Sequence, residues 1–200
     1  MATDKIALVT GAGKRLGKAI ARGLANEGYA MGLHYNSSAE GAQELHDEIV
    51  AEGGKAALLQ KDLSRPETAG GLIEDAAAAL GGPVEVLVNS ASAFNTDSLS
   101  DLTIDTWQFL MNVNAAAPVF LMQAFANQDP LPEGGAIVNM LDTQMLSASP
   151  ERFSYFCLQI LMRPSKRIRS TAESATILIC LSRKENMSVR IYTEESETAM

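Results

Sequence analysis

Apolar positions along the first 158 residues repeat with two alternating periods. "KIALVT" is a short apolar run that ends in a glycine-rich turn. "RLGKAIARGLANEG" then sets Leu16, Ile20 and Leu24 at helical spacing ahead of Gly28, which predicts strand, turn and helix. The alternation returns in "YAMGLHY" and "AEGAQELHDEIVAEG", and again in "KAALLQ" and "ETAGGLIEDAAAALG". "VEVLVN", the long helical stretch "WQFLMNVNAAAPVFLMQAFA" and the apolar run "GAIVNML" complete it. Strands with nearly continuous apolar runs, separated by helices, predict a parallel sheet covered on both faces. The expected fold is a doubly wound α/β domain over residues 1–158, with ligands beyond the carboxyl ends of its strands. Met111, Met122 and Met140 are expected in its core. After Tyr155 the pattern decays. Residues 159–200 hold one apolar run, "TILICL", with no turn glycine and no clear helix cap. This predicts an aberrant tail that does not continue the domain in an ordered way.

Composition sharpens that boundary. All 15 glycines lie at or before Gly135, and the last 41 residues carry seven Lys/Arg against five Glu, whereas residues 1–159 carry nine against nineteen acids. The chain of 200 residues, 46% hydrophobic with a net charge of −8, is long enough for one well-buried core. Its acidity argues against nucleic acid and against an anionic membrane surface, both of which select basic patches. Any anionic ligand must be held locally. Cys157 and Cys180, far apart with no signal peptide ahead of them, fit a reducing cytoplasm better than a disulfide framework. No apolar run approaches the roughly 20 residues that a bilayer span needs.

Candidate chemistry begins at "TGAGKRLG", Thr10 to Gly17, between the first strand and the first helix. Gly11 can supply the tight turn. Gly11 and Gly13, lacking side chains, let backbone N–H groups approach a pyrophosphate at the helix N-terminus, and Gly17 lets the helix pack close to the sheet. An ordinary strand-to-helix connection uses glycines too, but this position in an alternating chain favours the phosphate reading. The spacing is G-x-G-x-x-x-G and opens with Thr. It resembles the short-chain dehydrogenase/reductase family, whose Rossmann-like domain carries T-G-x-x-x-G-x-G. Arg15 stands in place of the middle glycine, as in the pteridine reductase branch of that family. The resemblance implies contacts to a nicotinamide cofactor from Thr10 through Gly17, Leu16 included. An NAD site wants a carboxylate about 20 residues on, whereas "HYNSS" offers none among His34, Asn36, Ser37 and Ser38. Lys14 and Arg15 can meet an extra phosphate, with the two serines as donors, so NADPH is expected over NADH. Asp62 in "KDLS" would sit near the adenine, as a matching Asp does in the family, or is simply a surface acid.

The resemblance continues through four further stretches. "NSASAF" is similar to the N-N-A-G motif in its N-N-A-S form, which assigns Asn89 and Ala91 to the cofactor and Ser92, Phe94 and Arg15 to the substrate. Core packing is the other reading of Phe94. "NVNAAAPVF" resembles the helix that carries the family's catalytic asparagine, here Asn114. "IVNMLD" ends the fifth strand at Asp142, and Tyr155 follows 13 residues later, the family's separation between its active-site serine and tyrosine. Asp in place of that serine is again the pteridine reductase pattern. The set implies carbonyl or imine reduction, with a proton from Tyr155, Asp142 assisting and Asn114 holding a relay water. No metal is implied.

The family's lysine four residues after the tyrosine is here Gln159. A phenol of pKa near 10 needs an anion-stabilising neighbour at neutral pH, and glutamine carries no charge. Codons for Gln159-Ile160 read CAR-ATH. Loss of one nucleotide upstream turns the fourth codon after tyrosine into AAA or AGA, lysine or arginine. A frameshifted segment, or else a natural divergent tail, is therefore expected over residues 159–200. The resulting expectation is an NADPH-dependent, cytoplasmic oxidoreductase acting on a small molecule such as a dihydropterin or dihydrofolate, with this chain impaired. A general carbonyl or 3-oxoacyl reductase is the alternative within the family. A non-catalytic NADP-binding module, or an unstable truncated product with an uncovered sheet edge, is the alternative outside it. Family members form tetramers through the long helices around residues 105–127 and the helix after the tyrosine.

Overall fold

The computed structural model describes residues 5–130, 135–142, 175–181 and 190–191. Its strands are β1 (Ile6–Val9), β2 (Ala30–Tyr35), β3 (Ala56–Gln60), β4 (Val84–Asn89), β5 (Ala136–Asp142), β6 (Ala175–Leu181) and β7 (Arg190–Ile191). They form one sheet in the order β3-β2-β1-β4-β5-β6-β7, parallel throughout except for β7. The doubly wound fold expected from the alternation is the fold observed. Every residue of β1 is buried, as a central strand with helices on both faces requires.

The helices are α1 (Arg15–Asn26), α2 (Ala39–Ala51), α3 (Pro66–Ala69), α4 (Gly71–Leu80), α5 (Ile104–Met111) and α6 (Ala117–Ala126). Two apolar clusters divide the core between the faces of the sheet. One gathers Ile73, Leu72, Leu121 and Phe125 from α4 and α6 against Leu8 and Leu87. The other gathers Ala21, Leu45 and Ile49 from α1 and α2 against Val9, Met31 and Leu33. Met111, Met122 and Met140 are half-buried at the edges of this core rather than within it. Two ion pairs, Lys18–Glu44 at 2.9 Å and Arg22–Glu52 at 2.9 Å, tie α1 to α2 on the outer surface.

α5 and α6 are one helix, joined by a π turn over Asn112–Ala116. By length and composition Ile104–Ala126 is apolar enough to cross a membrane, which the sequence reading had not found in any run. One side of it, Leu110, Val113, Ala117, Leu121 and Phe125, is buried. A second departure concerns the tail. "ATILICL" forms β6, in parallel register with all seven residues of β5, so β5 is not left as an edge. Seven residues rich in β-branched and aliphatic side chains suit a strand even where the surrounding pattern gives no turn or cap signal.

Candidate functional site

From β1 the chain winds to β2 and β3 on one side and then crosses to β4 on the other, so the loops after β1 and β4 diverge above the sheet. A doubly wound fold binds ligands at such a switch point. Thr10 pins the two sides together there. Its backbone N–H donates to Val88 O at 2.9 Å, and its Oγ1 accepts from the N–H groups of Ser90 at 2.9 Å and Ala91 at 3.0 Å. The hydroxyl itself donates to Val88 O at 3.4 Å. Thr10 is 1% exposed, so it frames the crevice from beneath.

The loop above it has no room for side chains. Gly11 sits at φ +69°, and a Cβ there would lie 2.9 Å from Ala91 Cα. At Gly13 a Cβ would lie 2.4 Å from Ser38 Oγ, and at Gly17 2.2 Å from Gly11 O. α1 opens behind this loop with no side-chain cap and no acid in its first turn. Its first N–H groups therefore face outward with the positive end of the helix dipole, flanked by the exposed Lys14 and Arg15. Leu16 is half-buried behind them. Arg15 holds φ 49°, the left-handed conformation that suits glycine and costs any other residue on the order of 1 kcal/mol. Bare backbone at Gly11 and Gly13, an uncapped helix start and two cations together fit a diphosphate.

β2 supplies the next wall. His34 is buried, and both of its ring nitrogens are engaged: Gly11 N–H donates to Nδ1 at 3.1 Å, while Nε2 lies 3.0 Å from Lys61 O. A carbonyl only accepts, so Nε2 carries the proton and Nδ1 is the acceptor. Burial holds the imidazole pKa below its ordinary value. The Lys61 carbonyl acts against that shift and the Lys61 charge adds to it. The imidazole is thus a strut under the loop. Asn36 and Ser37 are exposed beyond it, and Ser38 starts α2 against Gly13. No carboxylate lies between His34 and Ser38. Gly41, unremarked in the sequence, meets the loop from α2: a Cβ there would lie 2.1 Å from Gly13 O. Exposed Asp62 accepts from Ser64 N–H at 2.9 Å, and that bond holds its carboxyl below the usual range.

The other side is organised by the π turn. Asn114 Oδ1 accepts from Ala93 N–H and its Nδ2 donates to Ala93 O, both at 2.9 Å, so both ends of the amide hold the loop after β4. Asn112, two residues earlier, donates from Nδ2 to Ser64 O at 2.9 Å and so holds the loop after β3. The turn itself has a chemical cause. Ala117 N–H donates to Asn112 O, one residue further back than an α-helix uses, and Pro118 has no N–H to give Asn114 O. Sequence reasoning missed Asn112 and the consequence of Pro118, although "NVNAAAP" contained both. Below, Asn89 Nδ2 donates to Asn139 Oδ1 at 2.8 Å, which links the ends of β4 and β5. Ser92 is exposed, and Phe94 is 45% exposed on the loop, which corrects the core-packing reading: the chain has already left the sheet there.

Thr10, Gly11, Gly13, Gly17, His34, Ser38 and Ala91 thus come together, with Lys14, Arg15, Asn36 and Ser37 on the rim. Asn114 joins them through Ala93. Asp142 ends β5, paired with Leu181 of β6, while Tyr155 and Gln159 lie outside the described residues. A cavity of about 750 Å³ between α4 and the end of α6 lies elsewhere. Its charged lining residues, Glu67, Glu74 and Asp129, are all acids, which suit no phosphate.

Comparison with known proteins bears on this crevice. The family model for short chain dehydrogenases matches residues 5–157. An uncharacterized oxidoreductase of Methylorubrum extorquens is 38% identical over 136 residues, 68% of this chain and 54% of that protein. Cyclohexanol dehydrogenase of an Acinetobacter strain is 34% identical over 136 residues, again 68% and 54%. The crystal structure of FolM alternative dihydrofolate reductase 1 from Brucella canis, complexed with NADP, superposes with a TM-score of 0.74 at 31% identity. It covers 80% of this chain and 64% of its own. The chain spans about half the length of the curated relatives it matches.

Proposed function

This chain belongs to the short-chain dehydrogenase family, and we propose that it holds NADPH between the ends of β1 and β4 as an oxidoreductase of the pteridine reductase type. One observation carries the cofactor reading. The bare N-terminus of α1 is flanked by Lys14 and Arg15, and the end of β2 with the turn after it, His34 to Ser38, has no carboxylate to exclude a 2′-phosphate. The backbone at Gly11 to Gly13 and the start of α1 would cradle the diphosphate, with Lys14, Ser37 and Ser38 toward the extra phosphate and Asp62 toward the adenine. His34 supports this loop from below. When bound, NADPH supplies the hydride.

The chain's own residues would then manage the proton. Tyr155 donates it to the atom beside the reduced carbon, with Asp142 assisting at the end of β5. The Asn114 amide is engaged with Ala93, so the Asn114 carbonyl, to which Pro118 can give no N–H, would hold the relay water. A dihydropterin or dihydrofolate is the substrate class, supported by the likeness to the NADP-bound FolM and by Arg15 and Asp142 at positions where that branch differs from the rest of the family. Ser92 and Phe94 sit on the loop that would border it. Gln159 favours a second reading, a domain that binds the cofactor without turning over, since the tyrosine lacks its charged neighbour. Assembly through Ile104–Ala126 and a cytoplasmic setting complete the proposal. The test is NADPH oxidation with dihydrobiopterin, dihydrofolate and cyclohexanone in parallel. Turnover with the pterins alone supports the substrate class. Turnover with the ketone alone overturns it in favour of a general carbonyl reductase.

A further inference from the structure

We infer that His34 is a positioning residue for the cofactor loop, a proton-sensitive latch that closes only while its imidazole is neutral. The inference rests on the reading of Gly11–Gly17 as a phosphate loop. The geometry leaves the ring one productive state. Nδ1 accepts from Gly11 N–H at 3.1 Å and Nε2–H donates to Lys61 O at 3.0 Å. The backbone of the same residue accepts from Ala12 N–H at 2.8 Å, so β2 grips two consecutive peptides of the loop. The ring also joins the loop after β1 to the end of β3, one residue before Asp62. It thereby fixes the spacing between the diphosphate and adenine ends of the crevice.

Protonation reverses one of these bonds. A charged imidazole carries N–H on both nitrogens, and at Nδ1 that hydrogen would point at the Gly11 N–H. Two donors repel, so the loop must lift. Gly11 already occupies a left-handed φ with Ala91 Cα at 2.9 Å from where a Cβ would stand, which leaves it little room to lift without breaking contact with the β4 loop. The charges around the ring do not help an imidazolium. From β3 comes Lys61, whose ammonium bonds Asp75 of α4 at 2.8 Å. Lys14 and Arg15 of the loop are exposed cations, and Asp62, next to Lys61, is an exposed acid whose carboxylate accepts from Ser64 N–H. α1 and α2 direct their charges at one another across the outer surface. Burial disfavours the charged ring further.

The test is a fluorescence titration of the full chain with NADPH from pH 8 to pH 5, comparing wild type with His34→Asn and His34→Leu. Asn places Oδ1 where Nδ1 stood and does not titrate. Wild type is expected to lose affinity as the pH falls below the ordinary histidine range, by about tenfold more than His34→Asn over the same interval. That variant keeps only the shallower dependence of the cofactor's own phosphate. His34→Leu, with no acceptor for Gly11, is expected to bind about tenfold more weakly than wild type at pH 8, roughly the worth of one lost hydrogen bond, with the gap closing as the wild-type ring protonates. Parallel pH profiles for wild type and His34→Asn would sink the latch while leaving the site intact. No NADPH binding by wild type at any pH would overturn the site itself, and the latch with it. Should either variant fail to fold, long-range ¹H–¹⁵N spectra of wild type decide, because the chain has only two histidines. A proton on Nε2 at pH 7.5 with loss of that tautomer below pH 6.5 supports the latch, and a proton on Nδ1 overturns it.

Discussion

Single atoms carry most of the crevice. Thr10 Oγ1 takes two backbone donors and has one of its own to place, so Thr10→Val, though isosteric, strands the N–H groups of Ser90 and Ala91. The expected loss is about 2 kcal/mol of stability in urea unfolding, with Thr10→Ser close to wild type. Asn114 has the same character: Asn114→Ala leaves both polar groups of Ala93 unpaired and should cost about as much. His34 adds a pH dependence whose sign follows from burial. Its folded pKa lies below the unfolded value of about 6.5. As pH falls below 6.5, the unfolded chain takes up a proton that the folded chain refuses. Stability therefore declines until the folded ring also protonates, and is unaffected by this group above that window. Urea midpoints at pH 7.5 and 5.5 should differ more for wild type than for His34→Asn. The sequence expectation sets His34 beside the cofactor, and the structure gives its ring the peptides of Gly11 and Lys61 as partners. Periodicity shows that a residue ends a strand, and says nothing of whether its ring faces a ligand or a peptide.

Elements show where a sequence is legible. β1 to β5 and α1 to α4 were readable because a strand buried on both faces must be continuously apolar and a helix on it must be amphipathic. The π turn was not readable, because "NVNAAAP" has a helical composition and only the geometry shows Ala117 reaching back to Asn112. Pro118→Ala adds an N–H that could reach Asn114 O in the α-helical register. It should preserve the melting temperature and NADPH binding while lowering pterin reduction at least about tenfold, if the carbonyl holds the relay. Unchanged turnover would contradict that role. α2 offers a second test. A methyl at Gly41 would press on Gly13 O from 2.1 Å, so Gly41→Ala should push the start of α2 away and weaken NADPH binding. The glycine carried no signal by itself, since its close approach is to a loop 28 residues away.

At the scale of the whole molecule the sequence changes character toward its C-terminal quarter. The family match ends at residue 157, glycines vanish after Gly135, and yet β6 lies in register with β5. A chain cut after residue 158 should therefore expose the edge of β5 and aggregate where the full chain does not, as light scattering would show. Gln159→Lys places a positive charge four residues after Tyr155 in the sequence and should raise pterin turnover by roughly two orders of magnitude. Whether this acidic chain holds NADPH between the ends of β1 and β4 is decided by calorimetric titration of the full chain with NADPH and NADH in parallel. NADPH should bind tighter by at least about tenfold, roughly one charge-assisted hydrogen bond, with the preference lost in Lys14→Ala. Equal affinity for the two cofactors, or no binding of either, would contradict it.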